Sequence, residues 1–172
     1  HDKTARLWDT QSGAPGPTLN GHVNSIMSIV YAPKGHQIAT ASLDKTVRLW
    51  DSYTGVSVQT SGGHTDRVNS VTYSPEGCTL ASGGLDRTLR LWNAKTGTPI
   101  KTFGDQANQI TSGNVNQAPT FDVGRIERAA YSPCGGHIAI GSDDESVYVW
   151  DLKTGTGVHK LDVHDDCVTS VA

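Results

Sequence analysis

An all-β chain built of repeated antiparallel sheets is predicted by three observations. Trp8, Trp50, Trp92 and Trp150 recur, the first three 42 residues apart and the last after 58. Glycine is abundant (19 residues) and hydrophobic content is low, at 35%, as many short strands joined by tight turns require. Short runs of strand formers lie between the tryptophans and are bounded by Gly, Pro and Asp. A period near 40 residues marks a repeat architecture, in which each unit buries its face against the next.

The elements follow in order. His1-Asp2-Lys3-Thr4 reads as the middle of a motif, a turn leading into the strand that ends at Trp8. First strands are expected at Ile26–Tyr31, Val68–Tyr73 and Ile126–Tyr131. In Val68-Asn69-Ser70-Val71 two polar residues break the alternation, which predicts a β-bulge. The turns Tyr31-Ala32-Pro33-Lys34-Gly35, Tyr73-Ser74-Pro75-Glu76-Gly77 and Tyr131-Ser132-Pro133-Cys134-Gly135 lead to second strands at Gln37–Ser42, Thr79–Gly84 and His137–Ser142. Leu43-Asp44-Lys45-Thr46 and Leu85-Asp86-Arg87-Thr88 turn into third strands Val47–Trp50 and Leu89–Trp92. Thr54-Gly55, Thr96-Gly97 and Thr154-Gly155 supply hairpin turns with glycine at the positive-φ position. Outer strands follow at Val56–Thr60, Pro99–Phe103 and Gly157–Leu161, where a strand-opening Pro99 suits an edge. Each unit is thus a four-stranded antiparallel meander.

Aligned on the tryptophans, an Asp precedes each by six residues (Asp2, Asp44, Asp86, Asp144). Gly21-His22 and Gly63-His64 precede Trp50 and Trp92, each His by 28 residues, and Asp or Asn follows every Trp. These landmarks resemble the tryptophan-aspartate (WD) repeat family. The resemblance covers the whole chain apart from one insertion, and it implies a β-propeller of four-stranded blades. The units are then residues 1–20, the end of one blade; 21–62, 63–104 and 121–162, three complete blades; and 163–172, the start of another, with a first strand at Val168–Ala172. Closure of a ring calls for more blades. The expectation is therefore a piece of a longer propeller, or a ring completed by other copies, with open edges at Ala5–Trp8 and Val168–Ala172. The third blade departs from its neighbours. An amide-rich insertion at 105–120 reads as an exposed loop, Asp122 stands where a His is expected, and Ile140 stands where Thr40 and Ser82 stand.

The resemblance assigns His22, Thr40, Asp44 and Trp50, and again His64, Ser82, Asp86 and Trp92, to a structural tetrad. Hydroxyl, imidazole and carboxylate also suggest a hydrolase triad, but repetition in successive blades argues for architecture. Lys95-Thr96-Gly97 and Lys153-Thr154-Gly155 lack the Ser-x-x-Lys that would accompany a penicillin-recognising site. Gly62-Gly63 and Gly83-Gly84 lack the strand-to-helix setting of a phosphate loop. His164-Asp165-Asp166 has no further ligands nearby in sequence. No catalytic residue, metal site or cofactor is expected.

Net charge is −3, from 14 basic and 17 acidic residues, which selects neither nucleic acid nor an anionic membrane. No apolar run is long enough for a bilayer span. Three cysteines without paired spacing point to a reducing, intracellular setting. By analogy with the family the function is a non-catalytic scaffold for other proteins. A sensor region of a larger signalling or nucleotide-binding receptor protein is the alternative, and a component of nucleic-acid complexes a further one. Lys45, Arg48, Arg87 and Arg90 give the third strands a basic flavour. The expected partner contacts are Arg67, Asn69, Arg125 and Glu127 on the first strands, with Leu43, Leu85 and Asp143 before the turn Asp. Leu43 and Leu85 are expected to be exposed, as apolar side chains on turns.

Overall fold

The computed structural model describes residues 2–104, 123–162 and 164–172. The inserted loop at 105–120, together with Asp122, lies outside the described residues. Fourteen strands form four antiparallel sheets among those described. β1 (Ala5–Trp8) pairs with β2 (Pro15–Leu19). Blade one follows as β3 (Ile26–Tyr31), β4 (Gln37–Ser42), β5 (Thr46–Asp51) and β6 (Ser57–Gly62). Blade two is β7 (Val68–Tyr73), β8 (Thr79–Gly84), β9 (Leu89–Asn93) and β10 (Pro99–Phe103). Blade three is β11 (Ile126–Tyr131), β12 (His137–Ser142), β13 (Val147–Asp151) and β14 (Thr156–Leu161). Every blade is a meander in which only sequential strands pair. The outer strand of blade one runs Ser57–Gly62, later than the Val56–Thr60 its sequence pattern suggested, because its ladder with the third strand extends to Gly62 opposite Thr46.

The bulge expected in the first strand of blade two is present and is common to all three blades. The ladder slips between Ile26 and Ser28, between Val68 and Ser70, and between Ile126 and Arg128. The turn after each third strand is organised by the residue that follows the tryptophan. Asp51 Oδ1 accepts the Tyr53 and Thr54 amides at 3.0 and 2.8 Å. Asn93 Oδ1 accepts those of Lys95 and Thr96 at 2.9 and 3.0 Å. The turn needs a short side-chain acceptor and not a charge, so Asn serves where its neighbours have Asp. Gly55, Gly97 and Gly155 then take φ of 70°, 67° and 76°, which a Cβ would strain.

A single sheet leaves both faces wet, so blades bury them on one another. One buried cluster joins Ala39, Ala41 and Leu49 of blade one to Val68, Val71 and Leu80 of blade two. A second joins Leu89, Leu91 and Phe103 of blade two to Ile126, Ala129 and Ile140 of blade three. A smaller one sets Leu7 and Leu19 against Ile38 and Trp50. At the inner side of this stack β7 and β11 approach closely. The Ser70 hydroxyl accepts the Ala129 amide across the blade boundary at 3.1 Å, and Gly83 lies directly against the Ile126 side chain. Val168 takes the equivalent place on Gly141, and its amide donates to the Ser142 carbonyl at 3.0 Å. The expected strand at Val168–Ala172 is not formed, however. The segment docks through a buried Val168 but has no ladder partner among the described residues.

This packing makes Gly83 a sharp test. Adding a methyl group there, Gly83→Ala, drives Cβ into Ile126 and is expected to cost about 1–3 kcal/mol by overpacking. Gly62→Ala points into open space and is expected to change stability by less than about 0.5 kcal/mol. Urea unfolding of the two variants distinguishes them, and equal stabilities would contradict the packing described.

Candidate functional site

Antiparallel register sets the first group of residues. In blade one Thr40 pairs with Arg48 across β4 and β5, and Trp50 lies opposite Ile38. Trp50 and Thr40 therefore face each other diagonally, and the Trp50 indole N–H donates to Thr40 Oγ1 at 2.8 Å. Thr40 Oγ1 lies 2.7 Å from His22 Nε2, and His22 Nδ1 lies 2.7 Å from Asp44 Oδ2. Blade two repeats the chain: Trp92 to Ser82 at 2.8 Å, Ser82 to His64 at 2.7 Å and His64 to Asp86 at 2.7 Å. One assignment of protons satisfies every member. The indole donates to the hydroxyl, the hydroxyl to a neutral imidazole, and the imidazole N–H to the carboxylate. Asp44 and Asp86 also accept the amides of Val23 and Thr65, each at 3.0 Å. The relay thus ties the entry loop of a blade to its second and third strands.

Electrostatics follow the burial. Burial pulls the His22 imidazole below its ordinary pKa, outweighing the pull of Asp44 in the other direction. For Asp44 burial opposes ionisation, but hydrogen bonds from Thr46, His22 and Val23 overcome it, so its carboxyl sits below the usual range. A buried Ser or Thr whose proton is committed to a structural imidazole, with an indole on its oxygen, is not free to attack a substrate. The arrangement rigidifies and does not suit nucleophilic chemistry.

Two arginines complete the relay and were not singled out from sequence for this role. Arg48 lies over the Trp50 ring, 6.0 Å from its centroid. A side chain at Gly21 would begin 2.8 Å from Arg48 Nη1 and 3.3 Å from the Trp50 ring, and one at Gly63 would begin 3.0 Å from Arg90 Nη1 and 3.3 Å from Trp92. The glycine before each histidine thus leaves room for the arginine and the tryptophan ring, and a larger residue there would have to displace the guanidinium. Blade three replaces this set together. Tyr148 stands where Arg48 and Arg90 stand, and Phe121-Asp122 stands in sequence where Gly-His stands. The Tyr148 hydroxyl donates to Asp144 Oδ2 at 2.7 Å, and the Gly124 amide donates to the same oxygen at 2.9 Å. A phenol thus takes the histidine's place on the carboxylate. Ile140, where a hydroxyl would be, is fully buried in the apolar cluster that holds Trp150. The signal in the sequence was the joint change of Arg to Tyr and of Thr or Ser to Ile.

The residues expected to meet partners lie at the same end of the strands. Arg67 and Arg125 are exposed while their backbones are fixed: their carbonyls accept the Leu85 and Asp143 amides at 2.9 and 3.1 Å. Asn69 Nδ2 reaches across the blade boundary to Glu127 Oε2 at 3.0 Å. Burial raises the Glu127 carboxyl above its usual range, with nearby Asp143 adding to the effect. Asp143 is exposed and lies 3.8 Å from the Arg125 guanidinium. Leu43 and Leu85 are half-buried and not exposed as expected, because their turns fold back under hydrogen bonds to Ser25 and Arg67.

Stacked four-stranded meanders cross-linked by a Trp–hydroxyl–His–Asp relay define a β-propeller of the repeat type. The chain belongs to the WD-repeat family: residues 13–51, 55–93 and 119–151 match the WD domain, G-beta repeat, together more than half of the chain. Over 44 residues, 26% of this chain, it is 43% identical to coronin-7 of Homo sapiens and 43% identical to coronin-7 of Mus musculus. Over 34 residues, 20% of this chain, it is 47% identical to ribosome assembly protein 4 of Chaetomium thermophilum. The matched stretches span 5% of the coronin-7 chains and 7% of the ribosome assembly protein. Proteins built of WD repeats are generally non-catalytic and bind other proteins. No helix among the described residues is long and apolar enough to cross a membrane.

Two expectations test the relay. Trp92→Phe, which removes one donor, is expected to cost about 1–3 kcal/mol. His64→Ala removes one hydrogen bond from the buried Asp86 carboxylate, which keeps those from Thr65 and Thr88, strips the Ser82 hydroxyl of its acceptor, and is expected to cost about 1–3 kcal/mol. Thermal unfolding unchanged in both variants would refute the relay as a stabilising element. The second expectation concerns pH. Unfolded His22 takes up a proton before folded His22, so the relay's contribution is complete above about pH 6.5 and declines below it. Tyr148 does not titrate in that range. Hydrogen exchange between pH 7 and 5, corrected for intrinsic rates, should show β4 losing protection ahead of β12, and equal losses would contradict it.

Proposed function

We propose that these repeats form a non-catalytic platform on which protein partners are held, with the contact made at Leu43, Arg67, Asn69, Leu85, Arg125, Glu127 and Asp143. The observation that supports it most is the contrast at Arg67 and Arg125. Their side chains are exposed, yet their backbones are pinned at both blades by the turn amides. Charged groups projecting from a rigid frame lose little entropy on binding and set orientation through charge. The Asn69–Glu127 bridge keeps the two arginines' blades in register. Leu43 and Leu85 add half-buried apolar surface beside them. Three free thiols, at Cys78, Cys134 and Cys167, agree with an intracellular setting.

The test replaces both arginines in the full chain, Arg67→Glu with Arg125→Glu, and compares co-purifying proteins by quantitative mass spectrometry. At least one partner is expected to fall tenfold or more with no change in melting temperature, while Thr102→Glu on the outer edge leaves it in place. A partner set unchanged in the double variant would count against the rim.

A further inference from the structure

Two clefts of the same construction open between successive blades at the strand ends opposite the His–Asp loops. The one between blades one and two has a volume of about 480 Å³, and the one between blades two and three about 340 Å³. The backbone builds both from the Pro-x-Gly turns and the turn after the third strand, and the second extends further, to Leu91, Ile100 and Tyr131. Several aligned positions differ, among them His36 against Cys78 and Cys78 against Gly136, and two of the differences bear on size and charge. Ala94 in the first stands where Leu152 stands in the second, which opens the space. Lys34 stands where Glu76 stands. Asn93 lines the first, whereas Asp151, its counterpart in sequence, does not line the second. Lys95 and Lys153 are common to both.

Charge follows from these substitutions. In the second cleft Glu76 reaches across to the Gly135 turn and offsets Lys153. The walls of the first carry the ammonium groups of Lys34 and Lys95 with no carboxylate among the lining residues. His36 is beside them, its ring 4.3 Å from that of Tyr53, and its backbone is held by the Ser52 amide at 2.8 Å. Asp51, the carboxylate near His36, is engaged by the Tyr53 and Thr54 amides and the Thr54 hydroxyl. Asn93 has its oxygen taken by the Lys95 and Thr96 amides, which leaves its amide nitrogen as a donor. The first cleft thus has room, two lysines and neutral donors, where its twin sets one glutamate against one lysine.

We propose that the cleft between blades one and two binds a phosphorylated side chain on an extended segment of a protein partner. Two ammonium groups match the charge of a phosphate monoester, about −1.5 to −2 at neutral pH, whereas a single carboxylate balances one of them. Lysine serves phosphate as a point charge without demanding a planar, bidentate geometry. The cleft lies at the other end of the strands from the arginine rim and does not rest on that reading.

The experiment titrates the full chain with a fluorescein-labelled phosphoserine peptide of otherwise neutral residues and with its unphosphorylated form, read by fluorescence polarisation. The phosphorylated peptide is expected to bind at least tenfold more tightly. Lys34→Glu and Lys95→Glu are each expected to lose that advantage, with unchanged melting because both side chains are exposed. Glu76→Lys combined with Leu152→Ala gives the second cleft the lysine pair and the small wall residue of the first, and is expected to raise the stoichiometry from one peptide to two. Equal binding of the two peptides, or a phosphopeptide affinity that survives both lysine substitutions, overturns the proposal. So does tighter binding of a single-stranded RNA that is lost in the same variants, which would make the cleft a nucleic-acid phosphate site.

Discussion

Everything in this molecule depends on one constraint: a four-stranded meander has two faces and cannot bury either alone. The solution is a stack, and the stack dictates composition. Positions where blades converge must be small, so Ala41, Gly83 and Gly141 recur at one step of the second strand, set against Val68 and Ile126 on the next first strand and against Val168 in the segment that follows blade three. Low overall hydrophobicity is the counterpart of this geometry. Short strands need few large side chains when their backbones approach closely, and polar bonds such as Ser70 to Ala129 carry part of the contact.

Apolar stacking by itself does not fix how the entry loop of a blade is set on its own strands. The Trp–hydroxyl–His–Asp relay does, because each member accepts only one arrangement of the group beside it. Blade three shows what the relay requires and what it does not. The carboxylate on the turn persists as Asp144, and an entry-loop amide still reaches it, from Gly124. The imidazole is dispensable once another donor, the Tyr148 phenol, occupies its side of the carboxylate. The buried hydroxyl is dispensable only together with the imidazole, since an unpaired hydroxyl would be costly there and Ile140 avoids the problem by having none. The anchored Asp and the buried tryptophan are therefore the invariants of the three blades, and the imidazole and hydroxyl between them are the members that can be exchanged.

Strand order, blade number and the turn glycines were legible in the sequence because each leaves a periodic mark: Trp, Pro-x-Gly, Asp and Thr-Gly come back at fixed offsets. The bulge was legible from Val68-Asn69-Ser70-Val71, where alternation fails. The role of Arg48 and Arg90 was not, because a basic residue on a strand reads as surface, and it is the fold that brings each beside a tryptophan ring and a glycine. The half-burial of Leu43 and Leu85 was missed for a related reason. A turn in sequence looks exposed, yet these two are folded back by hydrogen bonds to residues 18 positions earlier. Val168–Ala172 illustrates a third limit. Its residues favour a strand, but a strand exists only with a partner to pair with, and pairing is not a local property.

A repeat protein contains its own controls. When the same backbone is built several times, residues that agree report the demands of the fold, and residues that differ are released from those demands. Thr40 and Ser82 differ without consequence, since either offers one hydroxyl to the same two neighbours. Lys34 and Glu76 differ in the sign of a charge on matching turns, and nothing in the packing of the blades asks for either sign. The same holds for Asn93 and Asp151, which hold their turns through the same acceptor oxygen. Differences of this second kind alter the outer field of the molecule while leaving its frame untouched. They lie on the turns, where binding surfaces can vary at little cost to stability, and a frame this rigid presents them with their spacing already set.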